Sequence, residues 1–439
     1  MIAKVVMLIA IFVAMGFMAY MLFTKEDSNR AYIKYVLMVY PFLGIDLIPS
    51  IVSFNVFDFL TVVFLILFYR NKLYPIRTGV IYNYLFLLFI LNIIIGVYLA
   101  EEYTRETTTS IIQIVTLFIF IRIFVLELLN YPLFKKEVLM LFRGILIFSF
   151  IFLLCQFVFG PSFSFAKSEN INVAGGEVVR YPSFFQDPQK YAQFLAAISF
   201  LMLLDFNNSN SKKLKYGLLL TVVSISALML TGGRAGLGGW LAGVFLILLF
   251  GAAKYRSQLL IGVLLLGLFT FYFQEQIPIF KRASIEDSYL FRQNIWNDAL
   301  KIHENHQFFG IGLGSYANYV SIHNPDQYWI HENEITFYDH PESGYLKILV
   351  EQGVIGFILL FLLILYPIYY AFTVYFKTKN IEYLNLIAGI LSWMVGFYTV
   401  YSLGDVRIRV LVSSILVLLV SGSFSNRNIQ ELNQSPNNA

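Results

Sequence analysis

All five histidines of the chain, His303, His306, His323, His331 and His340, fall between residues 275 and 343. An imidazole accepts and returns protons near neutral pH, so such a cluster can serve general acid–base chemistry, although histidines in an apolar chain also gather wherever there is water. His323, His331, Glu332 and Glu334 could approach a metal ion. Their spacing is loose, there is no H-E-x-x-H pattern and no D-x-D pair accompanies them, so no metal is expected. Arginines supply the complementary chemistry. Arg234 lies in Thr231-Gly-Gly-Arg-Ala-Gly-Leu-Gly-Gly239, where an apolar stretch from 214 to 251 is too long for one membrane crossing and must turn. A guanidinium at that depth snorkels or finds an anion, and its planar fork suits a phosphate. The surrounding glycines allow the turn, and Gly232 with Gly236 and Gly239 with Gly243 form small-xxx-small faces for close helix packing. Two more arginines stand in polar segments rich in aromatics: Arg180 in Arg-Tyr-Pro-Ser-Phe-Phe-Gln-Asp-Pro188 and Arg292 in Phe-Arg-Gln-Asn-Ile-Trp296. Taken alone, each fits an ordinary surface ion pair equally well.

Phe309-Gly-Ile-Gly-Leu-Gly-Ser-Tyr316 has the glycine density of a nucleotide-binding turn, but no βαβ unit surrounds it, and that reading fails. Tyr316, Tyr319, Tyr328, Trp329, Phe337 and Tyr338 could stack on sugar rings or form an interfacial aromatic belt. Residues 285 to 305 lack Gly and Pro, and their spacing predicts a helix with Tyr289, Trp296, Ala299, Leu300 and His303 on one face and Arg292 at its margin.

The elements that must hold these residues are membrane helices. Of 439 residues 58% are apolar and 13% charged, which leaves too little polar surface to cover a water-soluble globule. A bilayer core of about 30 Å needs roughly 20 apolar residues per helix. Candidate spans are 2–23, 32–49, 51–69, 79–99, 110–129, 138–159, 190–205, 214–231, 235–251, 256–274, 345–375, 383–403 and 407–423. The expectation is an all-α integral membrane protein of about twelve to fourteen transmembrane helices, forming one polytopic domain over 1–439. Lys4 and the apolar run behind it resemble a signal sequence, but the run is near spanning length with no A-x-A-like site, so a retained first helix is expected. Six short loops hold 14 Lys or Arg, and the opposite set holds Arg105, Arg234, Arg407 and Arg409. The basic set should face the cytoplasm, which places the loops 160–189 and 275–343 outside and a disordered tail, 425–439, inside. The net charge of +4 is scattered and forms no stripe for nucleic acid. Cys155, alone in an apolar run, excludes an internal disulfide and reads as a buried thiol.

In order along the chain, Arg180 with Phe-Gln-Asp-Pro, Thr-Gly-Gly-Arg234-Ala-Gly, Arg292 with Trp296, Phe-Gly-Ile-Gly-Leu-Gly and His340-Pro-Glu-Ser-Gly-Tyr-Leu-Lys-Ile-Leu-Val-Glu351-Gln-Gly353-Val-Ile-Gly356 resemble the O-antigen ligase and O-antigen polymerase superfamily of bacterial envelope enzymes. The resemblance covers roughly residues 175 to 376 and is most specific in its last block. It departs where many relatives follow the histidine with His or Asn and this chain has Pro341 and Glu342. The resemblance implies a GT-C-like glycosyltransferase of the bacterial cytoplasmic membrane. Such an enzyme needs no cofactor, metal or nucleotide sugar. It takes a glycan from an undecaprenyl-pyrophosphate-linked oligosaccharide at the outer face and moves it to a glycan acceptor within the bilayer's outer boundary, with room for a chain-length regulator as partner. His340 is then the base or acceptor-positioning group, Glu342 the alternative base, Arg234 and Arg292 the pyrophosphate ligands and Arg180 a third. Polymerase is favoured over ligase on the extended outer loop and the residues after His340. A transporter of lipid-linked glycan is the rival from another class, but it predicts internal repeats and midplane charges that the sequence does not show.

Overall fold

The computed structural model describes residues 16–47, 54–69, 80–100, 104–165, 179–204, 211–252, 285–325, 328–331, 334–338 and 340–434, with a few helical positions between 256 and 272. The start of the first expected span and most of the tenth lie outside the described residues. Among the described residues the regular elements are helices and one short hairpin: α1 (16–25), α2 (Ser28–Met38), α3 (Val56–Leu67), α4 (Val80–Leu99), α5 (Arg105–Asn130), α6 (Phe134–Phe159), α7 (Pro188–Met202), α8 (Ser211–Leu230), α9 (Arg234–Phe250), α10 (Ile285–Asn305), α11 (Tyr316–His323), β1 (Tyr328–His331), β2 (Glu334–Phe337), α12 (Gly344–Thr378), α13 (Ile381–Phe397) and α14 (Val406–Gln434). It is an all-α integral membrane protein. Among the described residues α4, α5, α6 and α12 are long and apolar enough to cross a membrane, and α3, α9, α13 and part of α8 are shorter apolar helices.

Helix starts follow side-chain chemistry. Asn55, Asp187, Asn380 and Ser343 each accept an N–H of the first turn of α3, α7, α13 and α12, and Thr104 and Thr107 form a capping box on α5. The expected spans 32–49 and 51–69 are instead α2, a 3₁₀ turn at Tyr40–Phe42 and α3, folded back through the Asp46–Asn55 bridge. Pro41 stops the helix that hydropathy alone would continue. α14 runs on as helix to Gln434, into the tail for which composition suggests disorder.

The core centres on α7, whose residues from Tyr191 to Met202 are all buried between α6, α8, α9 and α13. A helix apolar on every face belongs inside a bundle. Small residues let the backbones approach: a Cβ on Gly236 would meet the Ala192 backbone at 2.8 Å, and one on Gly239 would overlap the Ser392 carbonyl oxygen. The packing account of this glycine run is what the structure shows. At the end away from the 285–343 segment, Lys34 pairs with Glu26 and Glu137, Arg30 with Glu127, and Lys135 with Glu382 at 2.6 Å.

Candidate active site

One break in α12 organises the loop end of the bundle. Gly353 has φ 66° and ψ −176°, a conformation essentially reserved to glycine, and it interrupts the helix inside the His340 block. The interruption exposes backbone groups that a continuous helix would consume, and the Phe309–Gly314 segment uses them. Ile311 N donates to Val350 O and Gly312 N to Glu351 O, both at 3.0 Å; in return Val354 N donates to Gln307 O at 2.8 Å and Ile355 N to Phe308 O at 3.3 Å. Asn92 of α4 donates to the Gln352 carbonyl at 3.2 Å. Gly310, Gly312 and Gly314 have positive φ because the strip turns against a neighbouring helix backbone. These glycines therefore fasten the large loop to α12.

Arg180 is 3% exposed, and its Nε donates to the Thr231 carbonyl at 2.9 Å, at the turn from which α9 starts with Arg234. Gly232, at φ 65°, is bare because the Arg180 side chain lies against it. Arg180 and Arg234, separated in sequence, are thus brought to one turn, where Arg234 is half-buried. Burial pulls the Arg180 guanidinium below its ordinary value, and Asp187, the N-cap of α7, opposes that.

A second group forms around the His340 segment. Arg292 on α10 meets Glu342 at 3.5 Å, both about a fifth exposed (22% and 23%). Burial, and then the Glu342 carboxylate, push the Tyr338 phenol up. Glu342 takes a left-handed φ of 48°, which turns the chain from His340 into the Ser343 cap of α12. The His340 ring lies 5.9 Å from that of Tyr401, over which the Lys347 ammonium sits at 4.5 Å.

The two groups share the end of α13 and the residues after it. Gln193 of α7 donates to Gly396 O at 2.9 Å, the Trp296 ring of α10 stands edge-on to Tyr398 at 5.6 Å, Gly344 packs on the Phe397 ring, and Tyr401 contacts His340. The helix ends that carry the arginines and His340 therefore lie at one end of the bundle, and of these residues His340 itself reaches the Gly396–Tyr401 segment.

Residues 219–361 match the O-antigen ligase family. The matched region is about a third of the chain and holds Arg234, Arg292, the glycine strip, His340 and the Gly353 break; Arg180 lies before it. It bears out the resemblance to the O-antigen ligase and polymerase superfamily and marks the chain as carrying a glycosyltransferase-type membrane region. No curated protein matches the chain.

Other expectations shift. Tyr316 is fully buried in a small cluster with Ala299, Ile302 and Val350 and is not a sugar platform, whereas the Tyr319 ring lies tilted against that of His323 at 4.3 Å and its hydroxyl lies 3.3 Å from His306 Nε2. α10 matches its expected bounds, but its buried face is Ile295, Ala299 and Ile302, and Leu300 is 41% exposed. His303 is half-buried and held below its ordinary value by burial, against a backbone contact at Leu349 and the charge of Glu304. The side chains of Tyr289, Trp329, His331, Glu332, Glu334 and Phe337 lie outside the described ones. Among the described residues no group of three metal-ligating side chains forms. Sequence reasoning missed Asp405 altogether and took Arg407 and Arg409 only as topology signals. Arg407 and Arg409 are only 5% and 7% exposed. The available signal was Asp-Val-Arg-Ile-Arg opening an apolar run, three charges where a membrane helix tolerates them only with partners.

Proposed function

We propose that the protein is a polysaccharide polymerase of the bacterial cytoplasmic membrane, transferring a glycan from an undecaprenyl-pyrophosphate donor to a hydroxyl of another lipid-linked repeat unit at the outer face. The observation that carries this reading is the meeting of Arg180 and Arg234 at one turn, on the end of the bundle that also holds His340. The acceptor oxygen attacks the anomeric carbon of the donor sugar as the bond from that carbon to the pyrophosphate oxygen breaks. The hydroxyl proton passes to an imidazole nitrogen of His340, and the pyrophosphate leaves with the bonding electrons. Charge grows on the leaving oxygens in that step, and guanidiniums fixed in a partly desolvated turn stabilise it more than they stabilise the substrate. Arg292 is held toward the same end by Glu342. Because that carboxylate is engaged by the guanidinium, Glu342 serves to orient Arg292, and His340 takes the proton. An O-antigen-type ligase, moving the glycan to a lipid-core or protein acceptor, uses the same groups, and the family matched is described by that activity.

The deciding experiment gives purified protein a lipid-pyrophosphate oligosaccharide from the host, with His340→Ala, Arg234→Ala and Glu342→Gln alongside wild type. A ladder of longer lipid-linked glycans, lost in the first two variants while they remain folded, supports the polymerase. Transfer to a different added acceptor means ligase. No transfer to any host acceptor defeats both readings and favours a transporter.

A further inference from the structure

Lys347 and Glu351 sit one turn apart on α12, between the turn that carries His340 into the helix and the break at Gly353. Both charges are withdrawn from water, the Lys347 side chain being 13% exposed and that of Glu351 4%. The Lys347 ammonium lies 3.7 Å from Glu351 Oε1 and 4.5 Å from the centre of the Tyr401 ring, and that ring is 5.9 Å from the imidazole of His340. A cation over a tyrosine is attracted by the electron-rich face, and the attraction grows when the pair is desolvated. The Phe397 ring, at 6.0 Å, is a further neighbour of Tyr401.

Glu351 ties this pair to the large loop. Its Oε1 accepts the Tyr316 N–H at 3.3 Å and its backbone carbonyl accepts that of Gly312 at 3.0 Å, so the carboxylate is held by the same strip that fills the Gly353 break. A line of contacts thus runs from the docked strip through Glu351, Lys347 and Tyr401 to His340. Compensation of a buried carboxylate would account for the ion pair by itself. It does not account for the seat of the ammonium over Tyr401, or for the contact of Tyr401 with the imidazole.

We infer that Lys347 is a positioning residue: anchored by Glu351, it fixes the Tyr401 ring and, through that ring, the orientation of His340, so that docking of the 309–316 strip on α12 and alignment of the imidazole are one event. A base must lie within hydrogen-bond reach of the proton it takes, and a small misplacement slows the chemical step more than it weakens binding. Loss of Lys347 should therefore appear in kcat. This assignment rests on the proposed function for what His340 does, and adds to it how the large loop governs that residue.

His340 can be read directly, without turnover. Full-length protein in lipid bilayers is labelled with ¹⁵N-histidine, and the His340 ring signals are assigned by their loss in His340→Ala. Lys347→Met strands the Glu351 charge, so Lys347→Met combined with Glu351→Gln is the deciding variant, since it removes the pair and leaves no buried charge alone. It should shift the His340 signals while those of His306 and His323 stay in place, and lower kcat at least about tenfold with KM for the host lipid-pyrophosphate oligosaccharide within about twofold. Tyr401→Leu should do the same. Lys347→Arg, which keeps a cation over the ring, and Tyr401→Phe, which keeps the face, should retain the wild-type signals and most of the rate. Wild-type His340 signals and kcat in the double variant would mean that the lysine only neutralises Glu351, and would overturn the inference. A protein whose His340 signals follow Lys347 but which transfers no glycan keeps the inference and loses the polymerase reading. One that transfers glycan, loses transfer in His340→Ala and keeps it in the double variant does the reverse.

Discussion

Gly353→Ala should destabilise the protein although it replaces a glycine inside a stretch that hydropathy reads as one membrane helix. In a regular helix the change gains about 0.5–1 kcal/mol, because glycine gives up more backbone freedom than alanine. At φ 66° and ψ −176° an alanine is strained by about 1–3 kcal/mol, and its Cβ would sit well inside contact distance of the Phe308 carbonyl oxygen. Relieving that overlap pulls the 307–312 strip from α12 and puts at risk the backbone bonds of Ile311, Gly312, Val354 and Ile355, each worth about 0.5–1.5 kcal/mol. Strain and the loss of about half of those bonds together give roughly 2–6 kcal/mol. Thermal unfolding in detergent can be followed with a thiol-reactive dye, since Cys155 is the chain's one cysteine and is half-buried in α6. Gly144→Ala is the control, for its added methyl meets nothing within 4 Å, and it should melt at or slightly above wild type. Gly353→Ala should melt clearly lower, with faster hydrogen exchange at the amides of Ile311 and Gly312. A Gly353→Ala protein that melts with or above wild type, its amides equally protected, refutes the broken-helix account.

Arg407→Gln should cost about 3–5 kcal/mol, the usual penalty for leaving one member of a buried ion pair alone, because Arg407 makes two bonds to Asp405, at 2.8 and 2.6 Å, another to Phe184 O and lies over the Phe185 ring. Burial raises the Asp405 carboxyl, but Arg407 more than offsets this and holds it below 3.8. A depressed carboxylate contributes stability above its unfolded value and loses it as pH falls through the folded one. Wild-type melting should therefore be insensitive to this group from neutral pH down to about 4 and fall below that, while in Arg407→Gln the fall begins at higher pH. Arg180→Lys keeps the charge but loses both the fork and the Nε donor to Thr231; glycan transfer should drop at least about tenfold, or roughly 1.4 kcal/mol, with binding of the donor weakened in parallel.

Those residues also show what the sequence could and could not reveal. The starts of α7, α12 and α13 lie within two residues of the expected spans 190–205, 345–375 and 383–403, because a run of apolar residues is a local property of the chain. The helix at 285–305 and the glycine contacts of α9 were legible for the same reason: period and residue size are local properties. Arg180, Arg234, Arg292 and His340 stood out only by type and order, and their placement at one end of the bundle comes from tertiary packing that no window contains. The break at Gly353 was hidden because its neighbours are apolar and the stretch reads as one continuous span. The burial of Tyr316 was hidden for a related reason, since a tyrosine in a polar loop looks the same whether it faces water or closes a small core.

Arg407 and Arg409 show most clearly where hydropathy stops. They lie two residues apart on α14, are almost equally buried, and carry the same charge. A transfer scale assigns both the same cost. Arg407 is enclosed by a bidentate carboxylate, a carbonyl and an aromatic face, so its charge is compensated inside the protein, and its loss should register as loss of stability. Arg409 is met by one amide oxygen and leaves Nε and Nη2 without a hydrogen-bond partner among the described residues. An unmet buried donor costs on the order of 1–3 kcal/mol. Arg407→Gln should then melt clearly lower than wild type, whereas Arg409→Gln, which removes two unmet donors along with one hydrogen bond, should melt close to wild type. Equal lowering of the melting point in the two variants would put both arginines in the same structural role.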